Sequence, residues 1–236
     1  MEREQQQVRQ ALVVLGMHRS GTSALSGALH HMGATMPRTP MPGTPNNPFG
    51  HFESLKVWEL NEAILEATGS SWDDCLRFDA DWLASSPGRE MGLRAQAVLA
   101  EEYGSEAIVL LKDPRICRFF VFWRTALEQA GFDPVVVHIH RDPLEVAASL
   151  TRRNGLSTTL GLLLWLRHVL DAEEQSRGLP RVFVDYASLL GDWAGTIGKI
   201  SATLHLDWPT SSDQVRDAMS EFLRPELRHF DGSSAG

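Results

Sequence analysis

Five consecutive residues, Arg19-Ser20-Gly21-Thr22-Ser23, put one guanidinium, three hydroxyls and a glycine within reach of a single anion. The apolar run from Ala11 to Leu15 before them has the length and composition of a buried parallel strand. Gly16 then opens a short loop, and Thr22 to Leu29 has helical spacing. A strand-turn-helix of this kind aims successive backbone N–H groups and a helix N-terminus at one point. Gly21 permits close backbone approach, and His18 lies inside the same loop. The chemistry predicted is the gripping of a phosphate or sulfate. No Lys-Ser/Thr pair completes a GxxxxGK[ST] loop, which disfavours an ordinary ATP or GTP hydrolase. Taken alone, the same residues also suit a polar turn with no ligand.

Two further strand ends carry basic residues. Lys112-Asp-Pro-Arg115 follows the apolar run Ala107 to Leu111, and Arg141 follows Pro134 to His140. One basic residue after a strand is commonplace. Three such ends in series, on a chain of net charge −8, suggest a ligand with more than one anionic group. With a helix starting near Pro143, Ser149 falls about two turns in, where Arg141 and a hydroxyl can fork onto a phosphate. Ser149 by itself equally fits a small residue at a helix contact. His138 and His140 alternate along a strand, so one of them is expected to be a buried, hydrogen-bonded histidine. No His/Cys/carboxylate cluster has metal-ligand spacing, and no metal is expected.

The elements that must position these groups follow from the rest of the chain. Its 236 residues, 43% hydrophobic and 22% charged, suit one globular domain over 1–236. The net acidity gives no overall attraction to nucleic acid or to an acidic membrane, so neither partner is expected. No apolar run reaches the length of a membrane span, the segment Met1 to Gln7 is polar, and Cys75 and Cys117 form no disulfide framework. A cytoplasmic location is therefore expected. A Pro-rich loop over 36–52, with Pro at 37, 40, 42, 45 and 48, is expected near the site, with Phe49 and its neighbours docking it on the body. A frayed tail is expected over 231–236. Helices are predicted from Ser54 (as N-cap) to Leu65, over 93–103, 116–130, 144–153, 157–176, 191–204 and 212–223. Residues 69–88 read as mostly irregular, and Arg181 to Asp185 as a fourth strand with Tyr186 just after it. Short apolar strands alternating with helices predict a three-layer α/β/α fold. Its sheet would be mostly parallel, of about four to five strands, with the ligand beyond the strands' carboxyl ends.

In this order, the residues resemble the sulfotransferases that use 3′-phosphoadenosine 5′-phosphosulfate, with a P-loop NTPase-like fold. The resemblance runs over roughly residues 11 to 207, including the Trp58 helix and the Asp192-Trp193 segment of bacterial members. It implies that His18, Arg19, Ser20, Gly21, Thr22 and Ser23 hold the 5′-phosphosulfate, that Arg141 and Ser149 hold the 3′-phosphate, and that Tyr186 lies near the adenine. Lys112-Asp-Pro resembles the branch with a glutamate base. There Lys112 and Arg19 would serve the transfer and Glu53 would take the acceptor's proton, with His51 the second choice or a substrate contact. The implied product is adenosine 3′,5′-bisphosphate, with no metal involved. The chain departs from the cytosolic phenol and steroid enzymes, having Ala24 where they carry an adenine-stacking tryptophan and no C-terminal Arg-Lys-Gly segment. The expected acceptor is a hydroxyl or amine of a small molecule or glycan, and homodimerisation stays open. Two other functions fit the same residues: a divergent P-loop kinase, and a non-catalytic nucleotide-binding module.

Overall fold

The structure, a computed structural model, describes residues 9–44 and 50–223. The expectations for Met1 to Gln7, for Pro45, Pro48 and Phe49 and for the tail at 231–236 lie outside the described residues. Four strands, β1 (Gln10–Leu15), β2 (Ile108–Lys112), β3 (Asp133–His140) and β4 (Arg181–Asp185), form one sheet in the order β2-β1-β3-β4, every pairing parallel. The three-layer α/β expectation holds, with four strands.

Strand β1 is central, and Ala11 to Leu15 are all fully buried because helices cover both sheet faces. Its odd-numbered side chains face α2 (Leu55–Ala67), α3 (Ser86–Tyr103) and α4 (Phe120–Gln129). Leu12 and Val14 face α1 (Thr22–His31), α8 (Trp193–Leu204) and α9 (Ser212–Phe222). A smaller cluster of Met17, Val146, Leu150 and Leu164 ties the loop after β1 to α5 (Pro143–Asn154) and α6 (Thr158–Gln175). Register then does the positioning. Val14 pairs with Lys112, Leu15 with His138, and His140 with Asp185, so the carboxyl ends of all four strands meet at one edge.

Several elements differ from expectation for local reasons. Helix α3 begins at Ser86 rather than at 93, because the Ser85 hydroxyl accepts from Gly88 N and Pro87 fits the first turn. Its opening turns face solvent and carry no apolar stripe to announce them. The stretch 116–130 splits at Phe119 into a 3₁₀ turn, Pro114–Arg118, and α4. Another 3₁₀ turn, Ala80–Ala84, interrupts the irregular segment, and a short helix α7 (Tyr186–Gly191) starts directly off β4 under an Asp185 cap. The described part of the Pro-rich segment is anchored as well as looped. Thr35 bridges to Val109 and Pro40 to Ser54, Met41 N donates to Glu53 O at 2.7 Å, and Leu55 N donates to Thr39 O at 2.9 Å. Thr39 is held in turn by buried Glu102, which accepts from its N–H at 3.0 Å and its hydroxyl at 2.9 Å.

Among the described residues no helix is long and apolar enough to cross a membrane, and no group of metal-ligating side chains is found. His138 is buried with Nε2 beside the Ser176 hydroxyl at 2.9 Å, and His168 is buried with Nδ1 on Leu164 O at 2.8 Å. Burial pushes both imidazoles down, each to about 3. They stay neutral in the folded chain but take up a proton near 6.5 when it unfolds. Stability is therefore complete above that pH, and each group removes about 1.4 kcal/mol per pH unit below it. His168→Leu should flatten the fall in urea midpoint between about pH 6 and 5 by about one proton's share. An unchanged slope would show that His168 does not carry this acid sensitivity.

Candidate active site

The loop after β1 is shaped by two left-handed residues, Arg19 (φ 69°) and Gly21 (φ 91°), the second being the N-cap of α1. Their geometry turns successive N–H groups the same way, and α1 has no acidic residue in its first turn to occupy its positive end. Gly21 is required twice over: its φ excludes most side chains, and a Cβ there would sit 2.2 Å from the Tyr186 ring. Among the described residues the Ser20 hydroxyl is buried with no hydrogen-bond partner.

Side chains from three crossover units interlock here. Arg19 Nε donates to the Ser149 hydroxyl at 2.8 Å, and Arg141 Nη1 donates to Arg19 O at 3.3 Å. Arg141 Nε also donates to Glu145 Oε2 at 2.7 Å, and its guanidinium lies 4.9 Å from the Tyr186 ring centroid. Ser149 therefore meets Arg19 rather than Arg141. Tyr186 is wedged between Gly21 and Arg141 at only 6% exposure, so it braces two arms of the site.

At the end of β2, Lys112 Nζ donates to Glu53 Oε1 at 2.5 Å, to His51 O at 2.9 Å and to the Ser23 hydroxyl at 3.3 Å. Both charged side chains are buried, 2% and 7% exposed. Glu53 gets there through a tight turn in which Gly50 (φ 94°) precedes Phe52, a buried aromatic held at φ 58°. Such a conformation is a local strain of about 1–3 kcal/mol for a bulky residue. Burial pushes the Glu53 carboxyl above its ordinary value, and the Lys112 ammonium only partly opposes this. His51 is held below its ordinary value by burial and by the charges of Lys112, Arg153 and Arg19, while its ring Nε2 lies 3.3 Å from the Thr44 hydroxyl.

Other expected residues are committed elsewhere. Arg115 is bound to Glu62 and Asp113, and Asp113 also caps the 3₁₀ turn through Arg115 N at 2.8 Å. His18 turns its ring under the loop, 5.1 Å from Trp72, with Nε2 sealed and unpartnered. Burial and the nearby cations push its pKa well down. Lys199 donates to Phe183 O, on the edge strand. A groove of about 680 Å³ lined by His140, Phe183, Asp185, Ser188 and Lys199 lies on that side, and neither Arg19, Lys112 nor Arg141 lines it. Three residues of the site, Glu145, Glu102 and Arg153, are not among those the sequence singles out. The first and last lie four residues either side of Ser149, a spacing that could have marked them.

The arrangement can hold a doubly anionic ligand along a sheet edge, with a buried acid–base pair at one end. A family model described as "Sulfotransferase family" matches residues 11–210. The chain belongs to the sulfotransferase family. Among solved structures, the sulfotransferase domain of the Synechococcus PCC 7002 olefin synthase aligns with TM-score 0.53 and 19% identity, over 100% of this chain and 93% of that one. A sulfotransferase from Mycobacterium tuberculosis H37Rv aligns with TM-score 0.52 and 19% identity, over 90% and 71%. The sulfotransferase domain from the curacin biosynthetic pathway aligns with TM-score 0.52 and 13% identity, over 86% and 76%. At these identities the likeness is one of fold. A curated relative, one component of the light-independent protochlorophyllide reductase of Chloroflexus aggregans, is 33% identical over 141 residues. That stretch is 58% of this chain, which spans about a quarter (24%) of that protein.

Gly21→Ala should destabilise the fold by about 1–3 kcal/mol, since it strains a left-handed residue and drives a Cβ into the Tyr186 ring. Urea denaturation checks this, and wild-type stability in the variant would mean that Tyr186 is not held against the loop.

Proposed function

We propose that the protein moves a sulfuryl group from 3′-phosphoadenosine 5′-phosphosulfate to a hydroxyl or amine of a small molecule or glycan. The observation that carries this is the meeting of Arg19, Lys112 and Arg141, each from a different strand end, at one sheet edge beside a buried carboxylate. The residues suit the donor: the orphaned Ser20 hydroxyl, the loop amides, Arg19 and Ser23 at the phosphosulfate, and Arg141 with Ser149 at the 3′-phosphate.

Sulfuryl transfer needs in-line geometry, neutralisation of the leaving phosphate and a base for the acceptor's proton. Lys112 supports the second need. As the bond between sulfur and the 5′-phosphate oxygen breaks, its ammonium stabilises the charge growing on that oxygen. Glu53 supports the third. Its burial already raises its basicity, and when Lys112 turns toward the leaving oxygen the carboxylate loses the cation that held its pKa down. It then takes the proton while the acceptor oxygen or nitrogen bonds to sulfur. His51, kept neutral, contributes its carbonyl to hold Lys112 and its ring to the acceptor side.

Lys112→Gln should lower kcat by about 10²–10³ while leaving nucleotide affinity within a few-fold. Glu53→Gln should lower kcat by about 10²–10⁴ with the same sparing of affinity. Equal losses of turnover and affinity in both variants would remove the catalytic roles. A thermal-shift comparison of adenosine 3′,5′-bisphosphate against ATP with Mg²⁺ separates the donor classes. Stabilisation by ATP with magnesium alone would favour the kinase and overturn this function.

A further inference from the structure

Resting on that function, we propose that Arg153 determines acceptor specificity by binding an anionic group on the acceptor, a carboxylate, sulfate or phosphate ester. The accepting molecule is then an acid rather than a neutral alcohol.

Helix α5 presents Glu145, Ser149 and Arg153 at successive turns of one face. Glu145 holds Arg141, and Ser149 accepts from Arg19, so the first two positions steady the cations proposed to grip the donor. Arg153 is the next position along the same line. It lies beyond Arg19 and close enough to Glu53 and His51 for their charges to interact. That is where an acceptor must present its nucleophile.

Arg153 is exposed, so its guanidinium can meet a ligand from solvent. It lies 5.7 Å from the centroid of Trp72, whose ring in turn abuts His18 at 5.1 Å. Its Nε donates to Asn154 Oδ1 at 2.6 Å, a bond that leaves the terminal nitrogens of the fork for another acceptor. The neighbouring cations have carboxylates of their own: Lys112 has Glu53, Arg115 has Glu62 and Asp113, and Arg141 has Glu145. Among the described residues Arg153 has none; partial desolvation and the charges of Arg19 and Arg115 work against its charged form, and Glu53 works for it. A planar donor fork, oriented on an aromatic ring beside the base, matches a bidentate anion carried by the substrate.

The test loads wild-type protein, Arg153→Gln and Arg153→Lys with adenosine 3′,5′-bisphosphate. Each is then titrated calorimetrically with two matched pairs: glucuronate against glucose, and 4-hydroxybenzoate against 4-hydroxybenzyl alcohol. The expected result is a preference of about tenfold or more for the acid in at least one pair. Arg153→Gln should erase that preference and Arg153→Lys should keep part of it, with nucleotide affinity within about threefold throughout. No acid preference in either pair, a preference intact in Arg153→Gln, or nucleotide affinity that falls with Arg153→Gln would overturn the assignment. If the nucleotide fails to bind wild-type protein, the donor assignment fails first and takes this one with it. Absence of acid preference in wild-type protein with the nucleotide bound sinks only the acceptor assignment.

Discussion

The buried contact between Lys112 and Glu53 is the constraint around which the rest of the site is arranged. An ammonium at the end of a sheet strand, almost wholly removed from water, is costly unless a carboxylate and polar groups meet it. Here the carboxylate comes from a segment 59 residues earlier in the chain, and a backbone carbonyl and a hydroxyl complete the shell. Holding Glu53 there draws on distant structure. The left-handed turn at Phe52, the Met41 and Thr39 bonds that pin the strap, and the buried Glu102 on α3 are all needed to bring it to the strand end. The same desolvation that makes the pair expensive makes it chemically useful. The carboxyl's protonation depends on whether the ammonium is near, so a change in where Lys112 points changes how basic Glu53 is.

The other cations are held on the same plan. Arg141 is steadied by Glu145 and by the carbonyl of Arg19, while the Arg19 side chain is steadied by Ser149. These contacts stitch the loop after β1 to the unit formed by β3 and α5, and Tyr186 adds a third unit from the end of β4. Tyr186 acts as the wedge between two of them, and the absence of a side chain at Gly21 is what lets it fit.

Much of this is legible in the sequence because parallel strands buried on both faces read as unbroken apolar runs. Ala11–Leu15, Ala107–Leu111 and Pro134–Ile139 could hardly be anything else, and polar groups just after them had to fall at one edge. What is not legible depends on pairing in space. Spacing matches Ser149 to Arg141, yet the loop brings Arg19 closer. The place of Tyr186 follows from its position after β4, but its burial is decided by Gly21 and α7, a helix too short to show periodicity. The start of α3 is hidden because its first turns face water, and Glu102 looks like one more surface acid until the Thr39 contact gives it a partner.

A double-mutant cycle on Lys112→Met and Glu53→Gln, read by urea denaturation of the ligand-free protein, tests the central claim most directly. If the two charges depend on each other, each single change strands a buried partner and the double change recovers much of the loss. The coupling should then be about 3 kcal/mol. Losses that simply add, with coupling below about 0.5 kcal/mol, would mean that the pair is incidental and that the site is not organised around it.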